Sequence, residues 1–223
     1  MNAPVRLVDV RGSLPSPATL GPVAEHLRAG GVVAHPTETV YGFGGLLTDV
    51  ALARLRWLKR RERDKPFIML VPDTESVAGL GWNDAARSLA EVFWPGAVTL
   101  VLPDPDRIFP GPVRSGAGAV AVRVSPDPWV RALLDSTAEP LTSSSANTPG
   151  GPPARSGSEA ARIARSLGAG EEVWVLDAGT LPPSAPSTVI DCTGSLPVVL
   201  REGATPLGRL RCVLPEIHGQ PHT

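Results

Sequence analysis

The sequence predicts an α/β domain built on a mixed β-sheet. Two observations carry this. Short valine-rich apolar runs, the mark of buried strands, alternate with stretches of helical apolar spacing, and several of these runs follow one another with no helix between them. No fixed-period repeat is present, and one domain, residues 1–207, with a C-terminal tail at 208–223 is the expected organisation.

The elements follow in order. Leu20, Val23, Ala24 and Leu27 recur at helical spacing up to Arg28, and Gly30-Gly31 stops the helix. Val32, Val33 and Ala34 read as the end of a buried strand. The run breaks at Pro36, which cannot donate to a sheet ladder, and Tyr41 to Gly45 reads as a tight turn. Asp49 is the expected cap of a helix over about 50–61, with Ala51, Leu55 and Leu58 on one face. Strands are expected at Phe67–Val71, Val98–Leu102 and Ala119–Val124, separated by an amphipathic helix at Ala85–Phe93 and a Pro/Gly/Arg-rich loop at 104–118. Pro126–Leu134 reads as a short helix, and Pro140–Asn147 as a strand running into hydroxyls. Ser156 and Glu159 form a capping box for a helix stopped by Gly168. Val173–Leu176, Thr188–Asp191 and Val198–Leu200 are the remaining strands. The segment from Gly208 carries little periodicity.

Composition narrows the function classes. With 21 lysines and arginines against 22 acidic residues, the net charge of −1 gives no electrostatic case for wholesale nucleic-acid binding. No apolar run approaches the roughly 20 residues of a membrane span. The N-terminus lacks a basic start, an apolar middle and a small-residue cleavage site, so a cytoplasmic location is expected. Cys192 and Cys212 have neither C-x-x-C spacing nor a histidine cluster beside them, which argues against a disulfide framework or a zinc site. Lysine occurs only at Lys59 and Lys65, both inside one basic stretch at the end of a helix. There a compact ammonium and neighbouring guanidiniums suit phosphate oxygens, although cations capping the helix dipole explain them equally.

Chemistry concentrates where packing logic stops. Val32–Gly45, V-V-A-H-P-T-E-T-V-Y-G-F-G-G, ends a strand in hydroxyls and glycines, and P-L-T-S-S-S-A-N at 140–147 does the same. Arg123 is a lone charge in a run of alanine and valine, either exposed at a sheet edge or aimed into a site. Walker-type, dinucleotide, zincin and nucleophile-elbow patterns are all missing. His35 reads as a partly buried packing histidine. What remains is positioning and electrostatics by hydroxyls, glycines and isolated cations.

On seven stretches the chain resembles the YrdC-like (TsaC-type) threonylcarbamoyl-AMP synthases. They are H-P-T-E-T-V-Y-G-F-G (35–44), K-R-R (59–61), W-P-G-A-V-T-L-V-L (94–102), A-V-A-V-R-V (119–124), S-S-A-N (144–147), S-T-V-I-D (187–191) and L-R-E-G-A (200–204). The resemblance implies a twisted mixed sheet flanked by helices, with a basic concave face. It implies formation of threonylcarbamoyl-AMP and pyrophosphate from L-threonine, bicarbonate and ATP, for the tRNA modification threonylcarbamoyladenosine, with Mg2+ as counterion to the phosphates. It implies roles as well. Thr37, Arg123, Ser143 and Ser187 would meet L-threonine, and Lys59, Arg61, Arg63, Ser145, Asn147 and Arg201 would meet ATP, with Lys59 and Arg61 catalytic and no protein metal ligand. Handover to the tRNA threonylcarbamoyltransferase complex and direct RNA contact are the implied partners.

Three positions depart from that pattern: His35 where an aromatic residue is common, Ala119 where threonine is frequent, and Pro153 where serine is frequent. The longer branch of the family carries a further C-terminal domain that residues 208–223 are too few to form. A second reading is a non-catalytic double-stranded RNA-binding protein using the same basic face. Such binding needs mainly charge, whereas the synthase also needs Thr37, Ser145 and Arg123. Carbamoyl transfer of the hydrogenase-maturation kind would call for zinc-finger cysteines that this chain lacks.

Overall fold

The structure is a computed structural model that describes residues 4–60 and 66–219. Arg61 and Arg63 lie outside the described residues. The N-terminal half runs β1 (Arg6–Asp9), α1 (Pro17–Arg28), β2 (Val32–His35), β3 (Gly42–Gly44), α2 (Asp49–Lys59), β4 (Ile68–Leu70), α3 (Asp84–Phe93) and β5 (Val98–Pro103). It continues with β6 (Ala119–Arg123), α4 (Pro128–Thr137), β7 (Leu141–Ser145), α5 (Gly157–Ser166) and β8 (Val173–Asp177). The chain closes with β9 (Thr188–Asp191), β10 (Val198–Arg201), α6 (Leu207–Arg211) and β11 (His218–Gly219).

Among the described residues the strands form one twisted sheet of 11, in the order β1-β8-β2-β3-β7-β4-β6-β5-β9-β10-β11. It is mixed, as expected: β1–β8, β8–β2, β4–β6, β5–β9 and β10–β11 pair in parallel and the other neighbours antiparallel. Helices α1 and α4 cover one face through Leu20, Val23, Leu27, Val130 and Leu133, packed on Val33, Leu46, Leu70 and Leu141. Helices α2, α3 and α5 bury Leu52, Leu55, Leu58, Leu89, Phe93 and Ala160 in a larger cluster with the strands' opposite side chains. A sheet buried on both faces explains why its strands read as continuous apolar runs.

Several boundaries differ from the sequence expectation for local reasons. Helix α2 is capped by Thr48, whose hydroxyl accepts from the Ala51 amide at 3.3 Å, and Asp49 sits in the first turn, where its charge suits the dipole. It ends at Lys59 because Arg60 adopts a left-handed conformation. Helix α4 begins at Pro128 behind an Asp127 cap, since a proline at the first helical position has no amide to waste. Ser156 caps α5 as expected, but the Glu159 carboxylate takes the Arg155 amide, so the box closes one residue early. Tyr41–Gly45 is not a tight turn: Gly42–Gly44 form β3, paired to β2 and β7.

The stretch expected as a loose tail from Gly208 packs onto the sheet as far as Gly219. Leu210 and Ile217 are fully buried in the main core, and β11 extends β10 in parallel. Short elements of five and two residues give no readable period, which is why the sequence hid them.

Candidate functional site

Cross-strand register assembles the site. His35 pairs with Gly42, Gly42 with Ser145, Ile68 with Ser143, and Leu70 with both Leu141 and Arg123, so these side chains share one face of the sheet. The face is also that of α1 and α4, and beyond those helices it opens into a pocket of roughly 600 Å³ including its mouth. Thr37, Arg123, Ser143, Ser145, Ser187 and Arg201 all line it, together with Thr39, Gly42 and Leu70. Glycine at 42 keeps the floor open, because a Cβ there would stand 2.6 Å from the Ser143 hydroxyl.

Thr37 is engaged in its own turn. Its Oγ1 accepts from the Thr39 and Val40 amides, each at 3.1 Å, and donates to the Val40 carbonyl at 2.7 Å. The turn after Pro36 is therefore fixed by a threonine side chain in the manner of a helix cap.

Arg123 is 5% exposed and aimed into the site, which decides between the two readings of a lone charge in an apolar strand. Its Nε donates to the Gly96 carbonyl at 2.9 Å, and its Nη2 forms an ion pair with the Glu38 carboxylate. Burial, then the neighbouring charge of Arg201, lowers its pKa to about 10, so it remains a cation at neutral pH. The other Glu38 oxygen accepts from Ser125 Oγ at 2.7 Å.

Ser143 stands 3.4 Å from His35 Nε2, and His35 Nδ1 lies 3.0 Å from the Pro36 carbonyl. A carbonyl only accepts, so Nδ1 carries the proton and the bare Nε2 accepts from Ser143. Burial pushes the imidazole down to about 4. With a carbonyl behind the ring in place of a carboxylate, and so little basicity, this pair is a poor nucleophile–base dyad.

On the far side, Lys59 at the end of α2 donates to the Ser145 carbonyl at 2.7 Å and to Asn147 at its carbonyl (3.0 Å) and Oδ1 (2.5 Å). Asn147 Oδ1 also accepts from Ser145 Oγ at 2.9 Å, and its Nδ2 donates to the Thr148 and Gly151 carbonyls. The lysine and asparagine thus brace the loop after β7. Ser187 Oγ meets Thr99 Oγ1 at 2.9 Å, and Arg201 Nη2 donates to the Ser187 carbonyl at 2.7 Å. Among the described residues no group of three or more His, Cys, Asp or Glu could hold a metal ion.

The sequence reading missed Glu38, Ser125, Gly96 and Thr99. Glu38 carried a signal: it is a carboxylate among hydroxyls and glycines, and a buried arginine elsewhere in the chain needs a counter-charge. Convergent cations and hydroxyls over a small pocket suit an anionic, hydroxyl-bearing ligand.

Comparison with known proteins follows the same geometry. The Sua5/YciO/YrdC family model, described as telomere recombination, matches residues 25–203. A threonylcarbamoyl-AMP synthase from Bacillus subtilis is 35% identical over 196 residues, covering 86% of this chain and 55% of that protein. One from Chromohalobacter salexigens is 42% identical over 170 residues, covering 74% and 88%. The structure of Pyrococcus abyssi Sua5 complexed with L-threonine superposes with a TM-score of 0.86 at 33% identity, covering 96% of this chain and 62% of that one. This chain therefore spans little more than half of the Bacillus subtilis relative. With the family model covering most of its length, the chain belongs to the Sua5/YciO/YrdC family.

Proposed function

We propose that the chain is an L-threonylcarbamoyladenylate synthase, a nucleotidyltransferase that forms threonylcarbamoyl-AMP and pyrophosphate from L-threonine, bicarbonate and ATP. The observation that carries this reading is the buried Arg123 guanidinium over a hydroxyl-lined pocket, with Arg201 and the Lys59-braced loop on the same site. Its relatives' names and the threonine-bound Pyrococcus abyssi Sua5 support it.

In this reading Arg123 pairs with the threonine carboxylate as a fork. Thr37, Ser143 and Ser187 surround the rest of the amino acid. Ser143 donates its proton to His35, so its oxygen offers an acceptor to the amine or hydroxyl of threonine. The amine takes up bicarbonate as a carbamate with loss of water, and a carbamate oxygen attacks the α-phosphorus while pyrophosphate leaves. Ser145 and Asn147 line the nucleotide side, and Lys59, Arg201 and the basic residues Arg61 and Arg63 offset phosphate charge. Such a transfer rests on positioning and charge stabilisation and needs no protein nucleophile. Mg2+ would arrive on the ATP phosphates: Glu38, the carboxylate beside Arg123, has both oxygens engaged. Delivery of the product to a tRNA-modifying transferase, in the cytoplasm, completes the proposal.

The RNA-binding reading is not favoured, since Arg123 is buried and the Lys59 ammonium is turned onto the protein's own oxygens. The deciding experiment mixes the purified protein with ATP, bicarbonate and Mg2+ and follows pyrophosphate with and without L-threonine. Threonine-dependent release is expected; release without threonine, or none, refutes the assignment.

A further inference from the structure

Glu38 places a carboxylate on the very guanidinium that is proposed to hold the substrate's carboxylate. Such a group is either a competitor that the substrate must displace or a fixture that aims the arginine. Four features decide between them. Both Glu38 oxygens are held, one by Arg123 and one by Ser125. Ser125 is buried, and its Oγ accepts from the Asp127 amide at 3.2 Å, while Asp127 caps α4 through the Trp129 and Val130 amides. The backbone on which Glu38 rides is closed by Thr37 Oγ1 and continues into Tyr41, whose amide donates to the Ala154 carbonyl. At the guanidinium's other end, the Gly96 carbonyl that receives Nε belongs to a residue whose own amide donates to the Val124 carbonyl. The carboxylate thus sits in a continuous chain of hydrogen bonds from the N-terminus of α4 to the pocket.

A guanidinium has five N–H donors. Gly96 and Glu38 hold it by Nε and one Nη2 proton, which fixes its plane and leaves the remaining donors for the pocket that Arg123 lines. Arg201 lines the same pocket, so a counter-charge on Arg123 also limits repulsion between the two cations.

We propose that Glu38, braced by Ser125, is a positioning residue for amino-acid binding that holds Arg123 in the orientation able to grip a substrate carboxylate. This rests on the synthase reading above, in which Arg123 is that grip. The side chain acts through Arg123 and does not itself meet the reacting atoms.

The test is steady-state pyrophosphate release by wild type, Glu38→Ala, Glu38→Gln and Ser125→Ala, varying threonine and ATP separately, with thermal melts to establish folding. Losing a charge-assisted bond to the arginine is expected to raise the threonine KM by about tenfold or more in Glu38→Ala, with the ATP KM within about twofold of wild type. Glu38→Gln, which keeps an acceptor for Nη2, should recover about half of that loss on a logarithmic scale, and Ser125→Ala should show a rise of about threefold. A purely structural role would lower the melting temperature and the active fraction without moving the threonine KM. An unchanged threonine KM in folded Glu38→Ala overturns the proposal, and a lowered one overturns it in favour of a competitor. If Glu38→Ala does not fold, the other two variants decide, and normal threonine KM values in both overturn it. A wild type that shows no threonine-dependent release refutes the synthase reading and this inference together, whereas an active wild type with unaltered variants refutes this inference alone.

Discussion

Replacing His35 by asparagine should flatten the acid limb of the stability profile. The imidazole is fully buried against β3, where Gly42 and Gly44 have no side chain: a Cβ at Gly44 would stand 3.2 Å from Nε2, and one at Gly42 3.3 Å. Burial lowers its pKa from 6.5 to about 4, opposed in part by the Pro36 hydrogen bond and assisted, least of the three, by the charge of Arg123. Between those values the unfolded chain binds a proton that the folded chain refuses, so stability is intact above pH 6.5 and falls as the pH drops toward 4. Integrating the linkage relation over that range gives a loss of about 2 kcal/mol between pH 7 and pH 5, and about 3 kcal/mol once both states are protonated. Asparagine can offer an amide to the Pro36 carbonyl in place of Nδ1 and does not titrate. The cavity it leaves should make His35→Asn less stable at pH 7 by about 1–3 kcal/mol. Its stability should nevertheless fall by about 2 kcal/mol less than wild type from pH 7 to pH 5. Urea unfolding at the two pH values measures this difference of differences. His26, also lowered by burial, is present in both proteins and cancels. Equal losses in the two proteins, within about 0.5 kcal/mol, would refute the argument that burial holds His35 neutral.

Other expectations follow from named contacts. Under the proposed synthase function, Lys59→Ala and Arg123→Ala should each lower kcat/KM for threonine-dependent pyrophosphate release by more than about tenfold, because in that proposal each removes a charged contact to substrate worth over about 1.4 kcal/mol. Near-normal kinetics in both would separate these residues from the site. Leu210→Ala should lower the unfolding free energy by about 2–5 kcal/mol, as expected for truncating a fully buried leucine; a change under about 0.5 kcal/mol in chemical denaturation would mean that the 207–219 segment is not part of the cooperative core.

Much of the fold was legible because the sheet is buried on both faces. Val98–Leu102, Ala119–Val124 and Val173–Leu176 are valine-rich apolar runs, interrupted only by Thr99 and Arg123, whose length and branched residues fit core strands, and Ser156 and Gly168 bound α5 with ordinary cap chemistry. The strands that went unread, β1, β3 and β11, are an edge strand with little burial, a glycine-rich triplet and a two-residue pair. Each depends on a partner beyond its own sequence neighbourhood: β8 for β1, β7 on the outer side of β3, whose other neighbour β2 precedes it directly, and β10 for β11. Period and propensity carry no trace of a distant partner.

The sequence by itself determined the residue types of the candidate site: hydroxyls at Thr37, Ser143, Ser145 and Ser187, the isolated cations Lys59, Arg123 and Arg201, and the glycines beside them. Their chemistry follows from their side chains, so it can be read without coordinates. Only the tertiary structure decided which groups neutralise which. Glu38 and Arg123 stand 85 positions apart, and so close a pair arises from strand order and register. Lys59 found its acceptors at the last residue of β7 and in the loop after it in the same way. Buried charges need partners because desolvation is costly, but the sequence does not say which partner the fold will bring within reach.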